Sequence, residues 1–185
     1  MKPKRKLRCG VIGLGWWGEQ MCNSISKSKL YEISIVFDSD TKRKKVVATK
    51  FSSKSANKIS EIFESDVDCV FIFTPNQFHV DQAIEAATHN KHVFLEKPIA
   101  NTSKEANLIL KACKENRVIF AVGHNVRYYN IFKEAKKIIQ SGQIGDLVFI
   151  DANRSRPIGR NITKKSWRFY TDTCNGGPLI QMALH

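Results

Sequence analysis

The segment Gly13-Leu14-Gly15-Trp16-Trp17-Gly18 constrains this chain more than any other. It follows a short apolar run, Leu7 to Ile12, that reads as a strand. It opens a run from Trp17 to Ser26 that reads as a helix. A second apolar, β-branched run, Glu32 to Phe37, ends at Asp38, 20 positions after Gly18. Strand, glycine turn, helix, strand and terminal acid in this order describe a parallel βαβ unit with a right-handed crossover. Gly13 permits the tight turn, Gly15 lets backbone N–H groups come close to an anion, and Gly18 lets helix and strand pack. The helix N-terminus adds a partial positive charge. The unit therefore reads as a dinucleotide site, with the pyrophosphate on the loop and the Asp38 carboxylate on the adenosine ribose. The bland alternative is a glycine turn that serves packing alone. Asp38 repels a 2′-phosphate and so favours NAD over NADP, although Lys42 and Arg43 stand close enough to weaken that preference. For Trp16 and Trp17 two readings stay open: one of them lies against the cofactor or shields its nicotinamide end, or both pack on a second domain.

The same alternation continues. Asp40 to Phe51 reads as a helix with Asp40 or Thr41 as its N-cap, and Ile59 to Glu64 as a short amphipathic turn. Asp68 to Phe73 reads as a strand stopped by Thr74-Pro75-Asn76. A helix over Val80–Thr88, a strand over Lys91–Leu95, a helix over Ser103–Glu115 and a strand over Val118–Val122 complete the series. Apolar strands between helices predict an α/β fold, a Rossmann doubly wound parallel sheet covered on both faces, over residues 1–123. From 124 to 185 the texture changes. A helix is expected from Tyr129 to Gln140, a tight turn at Ser141–Gly145, and a half-exposed strand from Asp146 to Arg156. A polar loop follows, and Gly176 to His185 begins another helix. This part reads as the truncated start of an α+β second domain.

Composition removes several classes. With 42% hydrophobic residues the chain has material for a core, and no stretch approaches the roughly 20 apolar residues of a membrane span. Five cysteines without a CxxC pair suggest neither a disulfide framework nor a metal site, which fits a reducing, cytoplasmic setting. The net charge of +13 is concentrated at Lys2–Arg8 and Lys42–Lys45. Without a nucleic-acid recognition motif, it reads as solvated surface, with no nucleic-acid or membrane partner expected.

Further motifs make the reading specific. Thr74-Pro75-Asn76 with His79, then Lys91-His92-Val93 and Glu96-Lys97-Pro98, resemble the glucose–fructose oxidoreductase, inositol dehydrogenase and rhizopine-catabolism (Gfo/Idh/MocA) family. Val122-Gly123-His124 to Arg127-Tyr128, Arg154-Ser-Arg-Pro157, Trp167-Arg168 and Gly176-Gly177-Pro178-Leu179 to His185 also look like it. The resemblance implies an NAD(P)-dependent oxidoreductase acting on a sugar, a cyclitol or a nucleotide sugar. It implies that Thr74, Pro75, Asn76, His79, Glu96 and Lys97 line the cofactor, that Lys97 also contacts substrate, and that a cis peptide precedes Pro98. For His79 a capping or packing role stays open beside the cofactor role. Gln181 and His185, four apart on one helical face, match an aspartate and a histidine of the family. His185 would be the general acid/base, and Gln181 departs from the commoner aspartate.

In such proteins the second domain is a large, mainly antiparallel sheet, and the chain given stops inside the expected catalytic helix. The expectation is a fragment of a longer, homo-oligomeric enzyme. The alternative is a non-catalytic dinucleotide-binding or redox-sensing module on the same fold.

Overall fold

Strands that bury residues on both faces need helices on both faces. In the computed structural model, which describes residues 5–153, 157–174, 176–177 and 179–183, that requirement organises everything up to Gly123. The chain divides into two compact units, Met1–Gly123 and His124–His185.

In the first unit β1 (Leu7–Ile12) leads through α1 (Trp16–Ser26) to β2 (Tyr31–Phe37), and α2 (Thr41–Lys50) leads to β3 (Lys54–Ser55). Next come α3 (Ser60–Glu64), β4 (Cys69–Ile72), α4 (His79–Thr88), β5 (His92–Leu95), α5 (Ser103–Glu115) and β6 (Phe120–Val122). All pairings are parallel, in the order β3-β2-β1-β4-β5-β6. β4 is buried at every position, and so are Cys9 to Ile12 of β1. Because successive side chains point to opposite faces, these strands feed two cores. Cys9, Val11, Cys69 and Phe71 pack with Cys22 and Ile25 of α1 and Val47 of α2. Ile12, Val70 and Ile72 pack with Ile62 of α3, Ala83, Ala86 and Ala87 of α4, and Ile109 of α5. The alanines of α4 let that helix lie close to the sheet.

Helix starts follow from capping chemistry. The Asp40 side chain accepts from the N–H groups of Lys42 and Arg43 at the head of α2. Thr102 and Glu105 form a reciprocal capping box at the head of α5. The short β3 has no apolar signal in the sequence; two polar residues pair with Ile35 and Val36 at the sheet edge.

The second unit holds α6 (Asn130–Gln140), which buries none of its residues, and short 3-10 turns at Pro157–Asn161 and Trp167–Phe169. One expectation is corrected here. Asp146 to Asn153 is not a strand. Among the described residues it has no partner strand, and a lone strand leaves its backbone N–H and C=O groups unpaired. Val148 and Phe149 are consequently exposed. Arg154 to Arg156 lie outside the described residues. The helix expected from Gly176 is seen as a π-helical turn at Leu179–Ala183.

At the N-terminal end of the sheet, Asp68 ties β1 to β4. Its carboxylate accepts two bonds from the Arg5 guanidinium, both at 2.7 Å, and one from the Arg8 backbone N–H at 2.7 Å. These donors hold its pKa down at about 2, against an ordinary 3.8. A carboxyl depressed in the folded state contributes stability that is present above 3.8 and lost as the pH falls through about 2. Urea midpoints measured across this window should drop less steeply for Asp68→Asn than for the parent chain. Identical slopes would show that Asp68 carries none of the acid sensitivity.

Candidate functional site

At Gly13 the backbone turns with φ +87°, and a Cβ there would stand 2.8 Å from the Phe73 and Thr74 backbone. At Gly18 a Cβ would come within 2.0 Å of the Gly13 carbonyl oxygen. These two glycines are demanded by the fold itself. Gly15 differs, because nothing lies within 4 Å of where its Cβ would be. It is also the N-cap of α1, and no side chain caps that helix, whereas α2 and α5 are both capped. The first-turn N–H groups of α1 thus lack a side-chain acceptor and sit behind open space, an arrangement that suits an anion.

Beside the loop, at the end of β2, Asp38 is buried. Its Oδ2 accepts from the Leu14 N–H at 2.7 Å and its Oδ1 from the Asp40 N–H at 2.8 Å. The Arg43 guanidinium straddles the same two oxygens at 3.2 and 3.4 Å. The ends of β4 and β5 complete the edge. Thr74 donates its hydroxyl to Gln82 Oε1 at 2.7 Å, with Pro75 half-buried next to it. Glu96 accepts from the Trp17 indole N–H at 2.9 Å, and burial raises its carboxyl above the ordinary value. Lys97 is half-buried and precedes a cis peptide to Pro98. Trp16 is 75% exposed, its ring 5.8 Å from that of Trp17.

The structure thus brings Gly13, Gly15, Asp38, Thr74, Pro75, Glu96 and Lys97 to the C-terminal ends of β1, β2, β4 and β5 or the turns that leave them, and Trp16, Trp17 and Gly18 to the first turn of α1 beside them. In an open α/β sheet ligands bind at this end, where the strand order reverses between β1 and β4. An apolar groove of about 380 Å³ also exists, but Leu7, His92 and Ile119 place it toward the other ends of the strands.

Two expected cofactor residues are turned elsewhere. His79 is fully buried, its Nδ1 2.7 Å from the Pro98 carbonyl oxygen and its Nε2 2.9 Å from that of Thr74. It ties together the loops after β4 and β5, and burial lowers its pKa. Asn76 is buried, with its amide toward Asn101 at 3.5 Å. His185 lies outside the described residues, and Gln181 belongs to the turn at Leu179–Ala183 in the second unit. The Trp17–Glu96 bond and the Asp38–Arg43 pair were not anticipated. The second had a signal: Asp40 caps α2, and Arg43, three residues on, shares its face.

The profile of an oxidoreductase family with an NAD-binding Rossmann fold matches residues 7–124, and that of a GFO/IDH/MocA C-terminal domain matches 132–185. The chain belongs to the Gfo/Idh/MocA family. Among its relatives, an uncharacterized oxidoreductase of Streptococcus pneumoniae is 36% identical over 150 residues, covering 80% of this chain and 40% of that protein. The 2,7-anhydro-N-acetylneuraminate hydratase of Escherichia coli is 32% identical, covering 79% of this chain and 39% of that protein. The crystal structure of the WlbA dehydrogenase from Bordetella pertussis, in complex with NADH and UDP-GlcNAcA, superposes with a TM-score of 0.73 at 26% identity. That match covers 77% of this chain and 42% of that one. The chain thus spans about 40% of the length of these Gfo/Idh/MocA relatives.

A nicotinamide dinucleotide fits the residues present. The uncapped head of α1 and the vacant side of Gly15 suit its pyrophosphate, and Asp38 suits its ribose. The two helix-facing glycines separate binding from folding. Gly15→Ala should leave the thermal midpoint of the chain near that of the parent while weakening NADH by about tenfold or more in a calorimetric titration. Gly18→Ala should lower the midpoint itself. Equal NADH affinity in the parent and Gly15→Ala would exclude the loop as the pyrophosphate site.

Proposed function

We propose that this chain is the cofactor-binding part of an NAD(P)-dependent oxidoreductase acting on a hydroxyl or keto group of a sugar, a cyclitol or a nucleotide sugar. Residues 1–123 form the cofactor domain, and 124–185 open a substrate and oligomerisation domain. The observation that carries the reading is the uncapped head of α1 behind Gly15, set beside a buried Asp38. The substrate class is supported by the names of relatives: one hydratase acts on an anhydro-N-acetylneuraminate, and one dehydrogenase was crystallised with UDP-GlcNAcA. Asp38 favours NAD over NADP.

The nicotinamide, when bound, supplies hydride chemistry. The protein's part is positioning, charge and proton transfer. Lys97 offers a cation where negative charge develops on the substrate oxygen. Glu96 is held in place by Trp17 and fixes the start of the Glu-Lys-Pro turn. His185 takes or returns the hydroxyl proton, because an imidazole titrates near neutral pH. Gln181 hydrogen-bonds a substrate hydroxyl; being uncharged, it does not raise the basicity of His185 as an aspartate would.

In the complete protein, Lys97→Met and His185→Gln should each lower turnover by about a hundredfold or more while weakening NADH by less than about tenfold. Undiminished turnover in both variants would refute the assigned roles. A complete parent protein that binds NADH yet reduces or oxidises no polyol, sugar or nucleotide sugar would instead be a non-catalytic dinucleotide-binding module.

A further inference from the structure

β1 and β4 stand side by side where the strand order reverses, with Cys9 directly opposite Cys69. Paired residues of neighbouring strands share a face of the sheet, so the two thiols meet inside the core, their sulfurs 3.4 Å apart and buried. A strand spacing of about 4.8 Å lies within the Cα separations of about 4.4–6.8 Å that a disulfide bridges. Among the described residues no other two cysteines share a hydrogen bond. No group of three or more His, Cys, Asp or Glu among them is placed to hold a metal ion. The chemistry open to this pair is that of two thiols with each other.

The two sulfurs differ in access. Cys69 lines the apolar groove of about 380 Å³ together with Leu7, Tyr31, Phe71 and His92, and Cys9 does not. Cys69 is 6% exposed and Cys9 fully buried. The hydrogen bond to Cys69 and burial push the Cys9 thiol up, away from the reactive thiolate. Cys69 is thus the sulfur that a small oxidant entering the groove meets, and Cys9 is the one in contact behind it.

We propose that Cys9 and Cys69 form an oxidisable dithiol, which a peroxide converts reversibly into a disulfide across β1 and β4. The Cys69 sulfur attacks one oxygen of hydrogen peroxide; the O–O bond breaks, the thiol proton leaves with the other oxygen as water, and Cys69 becomes a sulfenic acid. The Cys9 sulfur then attacks the Cys69 sulfur. The S–O bond breaks, and the sulfenic hydroxyl leaves with the Cys9 proton as a second water. Two thiols are oxidised by two electrons in all, and one peroxide is reduced to two waters. The bond joins positions 60 apart, and the ring so closed contains the glycine turn, α1, β2 with Asp38, α2, β3 and α3.

The test adds hydrogen peroxide to the reduced, folded chain. Free thiols are then counted by alkylation and mass spectrometry, and peptides are mapped without reduction. The count should fall from five to three, the two thiols of the pair being consumed. One linked pair of peptides should carry Cys9 and Cys69, and dithiothreitol should restore all five thiols. Cys9→Ala lacks the resolving sulfur, so dimedone should capture Cys69 in it as the sulfenic acid. The variant's thermal midpoint shows whether it folds, and where it does not, the peptide map of the parent decides alone. Retention of five thiols, or linkage among Cys22, Cys113 and Cys174 instead, would overturn the proposal.

Discussion

The bond from the Leu14 N–H to Asp38 Oδ2, 2.7 Å long and buried, joins the two features on which the rest of this molecule depends. It exists because Gly13 turns the chain with positive φ, which rotates the next peptide toward the neighbouring strand. The Gly13 N–H is meanwhile tied to the Phe37 carbonyl at 3.0 Å. The glycine turn and the acidic strand end are therefore one construction. Leu14, 1% exposed, plugs it from the core side. Asp38 then has a structural task, satisfying two backbone N–H groups, as well as any task toward a ligand. A substitution there disturbs the loop even where no ribose is bound, so the two contributions separate only at groups that touch Asp38 without holding the fold.

A second set of ties works at the ends of β4 and β5. His79 bridges the carbonyl oxygens of Thr74 and Pro98 from inside the protein. A neutral imidazole has one N–H and one bare nitrogen, so it satisfies one of these carbonyls directly and is held against the other. Trp17 reaches across from α1 to Glu96. The tripeptide carrying Lys97 is thus fixed on one side by a buried histidine and on the other by the helix that follows the glycine loop. The glycine turn and the proposed substrate-facing lysine share a rigid mount although they lie more than 75 positions apart in sequence.

Most of the first unit was legible because its signals are local. Apolar runs such as Val70 to Ile72, breakers such as Pro75, and a capping box such as Thr102–Glu105 act within a few residues of where they stand in the chain. The glycines of the loop were legible for the same reason. Other features depend on partners distant in sequence. β3 consists of Lys54 and Ser55, and only pairing with β2 makes it a strand. Asp146 to Asn153 carries the alternation of a strand but lacks a ladder partner among the described residues, and alternation alone does not hold an extended chain. The sequence leaves His79 open between cofactor contact and packing, because its direction is decided by Pro98, 19 residues away.

The excess of positive charge is also partly a matter of direction. Arg5 and Arg8 are turned onto Asp68 and Asp66 at the N-terminal ends of β4 and β1. Arg43 pairs with Asp38 and Asp40, and Lys50 reaches Glu19 of α1 at 2.6 Å. Lys44 is buried; its ammonium donates to the Ala56 carbonyl at 2.5 Å and lies 5.6 Å from the centre of the Phe37 ring. Five of these contacts start from α2 and run to Phe37 of β2, to Asp38 just beyond it, to the segment after β3, to the α2 cap and to α1. That helix buries only Lys44, Val47 and Ala48, too little apolar surface to fix its orientation alone, so cations supplement the packing. The basic run Lys42–Lys45 consequently helps to dock α2 against the edge where Asp38 stands. Its charge bears on how that edge is built.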